Sequence, residues 1–142
     1  MKAAVLTGVN QPLHWQEVPT PVPAEGEVLI QLKAAALNHR DVWIQKGQYA
    51  GLRFPCILGS DGSGVVVETG PKVDKSWIGR EVVLNPGLFW GNNPAFPSKE
   101  FRILGLPDDG TFAEYIRFSV SHVYPKPTHL TFEEAAALPL GG

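Results

Sequence analysis

The sequence predicts a mainly β domain: an antiparallel barrel or sandwich carrying a few short helices. Three observations lead there. Short β-branched or alternating segments recur along the chain with turn residues between them. The 142 residues include 15 glycines and 13 prolines, which punctuate the chain and leave little room for long helices. No GxGxxG follows a strand and opens a helix. The nearest glycine set, Gly59, Gly62 and Gly64, leads into a β-branched run instead, so a dinucleotide-binding half is not expected in this chain.

Lys2 to Thr7 reads as a strand, and Leu13 to Val18 as its hairpin partner across a Gly8–Pro12 turn. Pro19 to Gly26 holds three prolines, which cannot donate to a ladder, so it reads as an extended surface connector. Glu27 to Ala36 alternates at Val28, Ile30 and Leu32, the pattern of a half-buried strand. Asn38 or Asp41 can cap a short helix running to about Lys46, with Gly47 ending it. Gly59 to Gly62 reads as a polar turn and Val65 to Thr69 as the strand leaving it. Val82 to Asn85 is the next strand. Asn85 to Asp109 is long, irregular and rich in proline and glycine, a length usually tied to function or to a partner. Its Phe89, Trp90, Phe96 and Phe101 are candidates to pack it hydrophobically. Gly110 to Phe118 alternates as a strand, and His122 to Pro127 is a short extended piece. Thr131 and Glu134 form a capping box opening a helix through about Leu138.

Composition excludes several classes. The formal charge is −2 with Lys and Arg scattered, so nucleic acid is not an expected partner. No apolar run approaches the roughly 20 residues that span a bilayer, and the N-terminus lacks the apolar core of a secretory signal. A cytoplasmic protein is expected. The one cysteine, Cys56, sits among apolar neighbours and reads as packing rather than as a nucleophile. His14, His122 and His129 have no metal-ligand spacing.

The opening MKAAVL, PTPVPAEGEVLIQLKAAALNHRD, GSDGSGVVVETG, GREVV, GTFAEY and EEAAALP together resemble the N-terminal catalytic domain of medium-chain dehydrogenase/reductases. The resemblance covers nearly the whole chain and leans toward the zinc-free, quinone oxidoreductase-like members. It implies a GroES-like β-barrel, with residues 1–130 as the catalytic domain and 131–142 as the start of a connecting helix. A Rossmann domain is absent from this chain and is implied beyond it. Such a domain would hold most of an NADPH or NADH cofactor, and the full-length form would be a homodimer. In zinc-dependent relatives a cysteine, a Gly-His-Glu and a later cysteine surround the metal. Here Asn38, Gly59-Ser60-Asp61 and Leu140 stand at those places. Catalytic zinc takes three protein ligands plus an open position. No catalytic zinc is expected, and no structural zinc either, since the Asn85–Asp109 stretch has no cysteine.

Asn38, Asp41 and Tyr49 match the quinone oxidoreductase pattern of Asn-x-x-Asp followed by Arg-x-Gly-x-Tyr, with Lys46 in place of the arginine. The resemblance makes these three the candidate catalytic residues. Asn38 would donate to a substrate oxygen or hold the nicotinamide ribose, or would cap the next helix. Asp41 would position substrate or water, or tie down a loop through backbone N–H groups. Tyr49 would donate a proton or stack on a flat ring, or be a core aromatic with a surface hydroxyl. His39 joins Asn38 as a candidate cofactor contact, or is a surface residue. Ser60 and Asp61 read as an ordinary polar turn.

The implied activity is zinc-independent hydride transfer to a quinone or an α,β-unsaturated carbonyl compound, with the isolated chain inactive. A different class stays open. A GroES-like module can serve as a non-enzymatic binding domain, or as a truncated paralogue that regulates full-length partners.

Overall fold

A computed structural model describes residues 1–142. The strands are β1 (Lys2–Leu6), β2 (His14–Glu17), β3 (Glu27–Ala36), β4 (Cys56–Ile57), β5 (Asp61–Thr69), β6 (Glu81–Leu84), β7 (Gly87–Leu88), β8 (Arg102–Ile103), β9 (Tyr115–Ser119) and β10 (Val123–Pro125). Two short α-helices, α1 (His39–Gln45) and α2 (Phe132–Ala136), and two single 3-10 turns, Lys75–Trp77 and Val120–His122, complete the set. The strands pair antiparallel in a five-stranded sheet ordered β10-β6-β5-β3-β9, a three-stranded sheet ordered β2-β1-β4, and the small β7-β8 ribbon. No helix is long and apolar enough to cross a membrane.

The main core lies on the five-stranded sheet. Val28 and Ile30 of β3, Val66 of β5, Val82 and Leu84 of β6, and Ile116 and Phe118 of β9 are all buried there. β3 runs over the expected residues, yet Val28, Leu29 and Ile30 are buried in succession, so its first half is covered on both faces. A second cluster sits beneath α1: Leu6, Ile44, Cys56, Leu58 and Leu106. Cys56 is buried as expected, and burial pushes its thiol up, with the Asp109 charge adding to the effect.

Four expectations are corrected. Asp61 to Gly64 are strand, not turn: they pair with Ala36 to Leu32 of β3. The glycines serve close approach, since a Cβ on Gly64 would lie 2.1 Å from the Gln31 carbonyl oxygen. The strand expected from Gly110 begins only at Tyr115. Before it, Gly110, Thr111 and Phe112 donate irregularly to the carbonyls of Ile57, Gly59 and Leu58. α2 ends at Ala136 rather than Leu138, although its capping box forms as read, with Glu134 N–H to Thr131 Oγ1 at 3.1 Å and Thr131 N–H to Glu134 Oε2 at 2.9 Å. In the 85–109 lobe, Trp90 and Phe101 meet edge to face at 5.0 Å, but Phe96 is 62% exposed and packs nothing.

α2 lies against β3, β5 and β6. Ser63 Oγ donates to the Phe132 carbonyl at 2.6 Å, and Ala135 and Ala136 are buried. The final segment is therefore attached to the same body as the site described next.

Candidate functional site

The seven-residue helix α1 buries Arg40, Asp41 and Ile44, so the inward face of this helix starts with two charges. Their partners come from the β4–β5 junction and the exit of the lobe. Those contacts define the site.

Asn38 is the N-cap of α1, but its side chain looks elsewhere. Its Nδ2 donates to Asp61 Oδ2 at 3.0 Å. The cap itself is closed by Asp41, whose Oδ2 accepts the Asn38 backbone N–H at 2.8 Å. Asp41 Oδ1 accepts the Gly59 N–H at 3.3 Å. Both Asp41 oxygens thus hold backbone, the loop-tying alternative read from the sequence. Asp41 is 6% exposed, and burial pushes its carboxyl above the ordinary value. The Asn38 and Gly59 N–H groups and the Arg40 charge pull it down without prevailing, and Asp61 adds repulsion.

Ser60 and Asp61 are not an ordinary surface turn: both are fully buried. Asp61 Oδ1 accepts the Leu140 N–H at 3.0 Å while Oδ2 holds Asn38. Burial raises its carboxyl, and these two donors lower it by less. Thr111 Oγ1 donates to the Asp61 carbonyl at 2.7 Å, which locks the start of β5. Asn38, Asp61 and Leu140, which the resemblance aligns with metal-ligand positions, therefore do converge, but on one carboxylate filled by N–H donors.

Arg40 has no role in the sequence reading and proves central. It is 8% exposed. Nη1 donates to Ser60 Oγ at 2.9 Å and to the Leu104 carbonyl at 2.8 Å; Nη2 donates to the Leu106 carbonyl at 3.5 Å. Nε donates to the Tyr49 hydroxyl at 3.4 Å, and the guanidinium carbon lies 5.1 Å from the Tyr49 ring centre. Gly105 makes this possible, because a Cβ there would sit 2.9 Å from Nη1. Tyr49 itself is 36% exposed, a half-open aromatic rather than a core one. The structure thus brings Asn38, Asp41 and Tyr49 into one network through Asp61 and Arg40. It leaves His39 outside: that side chain is exposed and makes no hydrogen bond within the chain.

One sequence signal for the missed residues exists. Ser60 and Asp61 lie among glycines whose missing side chains permit tight strand packing, so a polar pair there is buried by its neighbours. For Arg40 the only signal is a charge beside Asp41 in a helix too short to be all surface.

A cavity of about 670 Å³ lies elsewhere, lined by β9, β4 and the Pro19–Pro21 connector, and contains none of the predicted site residues. The Asn38–Tyr49 network is a buried polar cluster of Arg40, Asp41, Ser60 and Asp61 edged by the more exposed Asn38 and Tyr49. No three His, Cys, Asp or Glu side chains come together to ligate a cation.

Residues 24–128 match the model of the alcohol dehydrogenase GroES-like domain. A zinc-type alcohol dehydrogenase-like protein, YogA, from Leptosphaeria maculans is 40% identical over 94% of this chain and 40% of its own length. The trans-enoyl reductase tndF from Aspergillus flavipes is 38% identical over 98% of this chain and 37% of its own. Among solved structures, an NAD-dependent alcohol dehydrogenase superimposes with a TM-score of 0.89 at 44% identity, covering 99% of this chain and 43% of that one. The chain spans about 40% of the length of the curated relatives it matches.

Proposed function

This chain belongs to the alcohol dehydrogenase GroES-like domain family of oxidoreductases, and from that premise we propose that it is the catalytic-domain portion of a reductase that transfers hydride, without zinc, to a quinone or an α,β-unsaturated carbonyl compound. The observation that carries the proposal is the Asp61 carboxylate, shared between the Asn38 amide and the Leu140 N–H. A divalent cation needs several lone pairs aimed at one point. Here N–H donors point at the carboxylate instead, Ser60 Oγ is held between Arg40 and the Leu104 carbonyl, and Leu140 offers no side-chain ligand. The residues do not fit zinc. The names of the enoyl reductase relatives point the same way on substrate.

A nicotinamide cofactor, NADPH or NADH, would supply the hydride, held mainly by a nucleotide-binding domain outside these 142 residues. The groups present fit such a cofactor at its edge: exposed His39 and the remaining Asn38 amide N–H are donors suited to ribose or phosphate oxygens. Asn38 has two N–H bonds, and Asp61 takes one, which fixes the plane of the amide and frees the other for a substrate or cofactor oxygen. Tyr49 carries the second free donor. Asp41 keeps the α1 cap and Gly59 in register. Charge developing on the substrate oxygen is thus met by fixed hydrogen-bond donors. The full-length enzyme would work as a cytoplasmic homodimer.

The test is NADPH oxidation with 1,4-naphthoquinone and with a simple enone, with and without a chelator, using protein extended to the length of its relatives. Turnover that survives chelation is expected, with negligible turnover by the 142-residue chain alone. Stoichiometric zinc whose removal abolishes turnover would overturn the reading.

A further inference from the structure

Of the two buried cations, Lys126 pairs with Glu81, while the Arg40 guanidinium makes no salt bridge. Each of its hydrogen-bond partners is neutral, namely a serine hydroxyl, two backbone carbonyls and a phenol. Desolvating a guanidinium is costly, and neutral acceptors offset that cost only when they are held in place. The arrangement therefore fixes its partners, and one of them needs fixing. Residues 49–54 make no backbone–backbone hydrogen bond. The loop's one polar tie is the Arg40–Tyr49 contact, in which Nε–H meets the phenol oxygen while the guanidinium lies against the ring.

That contact sets the polarity of the hydroxyl. A phenol has one O–H to give and lone pairs to receive with. Arg40 occupies the receiving side and, bearing no acceptor, cannot take the proton. No other group of the chain accepts it. Tyr49 is thus turned into an outward-facing donor. Resting on the quinone or enone reading above, we propose that Arg40 is a positioning residue that locks the Tyr49 hydroxyl as a hydrogen-bond donor toward the substrate carbonyl oxygen. The same guanidinium joins α1, Ser60 and the lobe exit at Leu104 and Leu106, so the donor is referenced to the rigid part of the fold.

The 142-residue chain with ring-¹³C-labelled tyrosine tests this by NMR, with 1,4-naphthoquinone as the probe. In the wild type, Tyr49 should give ordered ring signals that shift on titration. Arg40→Met should move the Tyr49 signals toward those of a free side chain, leave Tyr115 and Tyr124 in place, and weaken probe binding about tenfold, the worth of one hydrogen bond. Arg40→Lys, which keeps the charge but not the fork, should not restore either property. Tyr49→Phe should weaken binding by a similar factor, and the double variant should be no weaker than either single one. Unmoved Tyr49 signals in Arg40→Met, or additive losses in the double variant, overturn the proposal. Should Arg40→Met not fold, the Arg40 Nε–H resonance decides. It should shift on Tyr49→Phe, and an unmoved resonance overturns the contact. Loss of Tyr49 order in Arg40→Met without any probe binding by the wild type supports the positioning role and overturns the substrate reading instead.

Discussion

The α1 region and the 85–109 lobe are both dense in polar and aromatic groups, yet they satisfy them over different distances along the chain. Around α1 the partners are remote. Asn38 reaches Asp61 across 23 residues, Arg40 reaches Ser60 across 20 and the Leu104 carbonyl across 64. In the lobe they are mostly near: Trp90 Nε1 donates to the Asn93 carbonyl 3 residues on, Ala95 N–H to Asn93 Oδ1 2 residues back, and Ser98 Oγ to the Phe89 carbonyl 9 residues back. The lobe is tied to the rest by a few longer contacts, among them Phe89 N–H to His122 Nε2 at 3.2 Å and Arg40 Nη1 to the Leu104 carbonyl at 2.8 Å. Remote partners exist only once the whole domain has folded. The α1 network therefore reports global stability, whereas the largely exposed 89–101 part of the lobe, outside the core residues Leu88, Leu104 and Leu106, should open at lower cost.

Substitutions sharpen this contrast. The largest effect belongs to Ile44→Ala, which empties a fully buried position in the cluster under α1. It should cost about 3 kcal/mol in denaturant unfolding, and a cost under 1 kcal/mol would show that α1 is not part of the global unit. Next comes Asp61→Ala, which strands the Asn38 amide and the Leu140 N–H. A loss of about 2 kcal/mol is expected, with faster amide exchange at Leu140.

Acidification should move the two regions in opposite directions. The Asp41 and Asp61 carboxyls are raised above their ordinary 3.8 by burial. A raised acid binds its proton more tightly in the folded state, so their unfavourable contribution is relieved as pH falls through the raised values toward 3.8. His122 behaves otherwise. Burial, helped by the Arg102 charge, lowers it below 6.5, so stability that it contributes above 6.5 is lost as pH falls through its folded value. Protonation also removes the Nε2 lone pair that accepts the Phe89 N–H. Other polar and charged groups lie around that ring: the Ser121 hydroxyl contacts Nδ1, the Arg102 and Glu100 charges come from the lobe, and the Tyr124 phenol from β10. Amide exchange followed below 6.5 should show Phe89 losing protection while Gly59, the donor to Asp41, keeps its own. Loss at both sites together would merge the two regions into one unit. The smallest effect is Phe96→Ser, on a side chain 62% exposed. It should change stability by less than about 0.5 kcal/mol.

Much of the frame was legible from local pattern. The β1–β2 hairpin, the whole of β3, the Thr131–Glu134 capping box and the start of α1 at Asn38 each depend on residues a few positions apart. The tie of Asp41 to backbone could be named for the same reason, since half of it is the cap three residues away. Gly59 to Gly62 reads as a turn because glycine signals one locally, while Gly62 and Gly64 owe their place to a neighbouring strand that the local pattern does not reveal.

The sequence alone determined the fold class, the family resemblance and the positions, Asn38, Asp61 and Leu140, that the resemblance sets against metal ligands. Only the tertiary structure decided that Ser60 and Asp61 are buried, that the Asn38 amide N–H donates to Asp61, and that Arg40 faces inward to hold Tyr49. The physical reason is the range of the forces involved. Strand alternation and helix caps are settled between near neighbours, whereas the cost of burying a charge depends on acceptors that the fold delivers from 20 to 66 residues away.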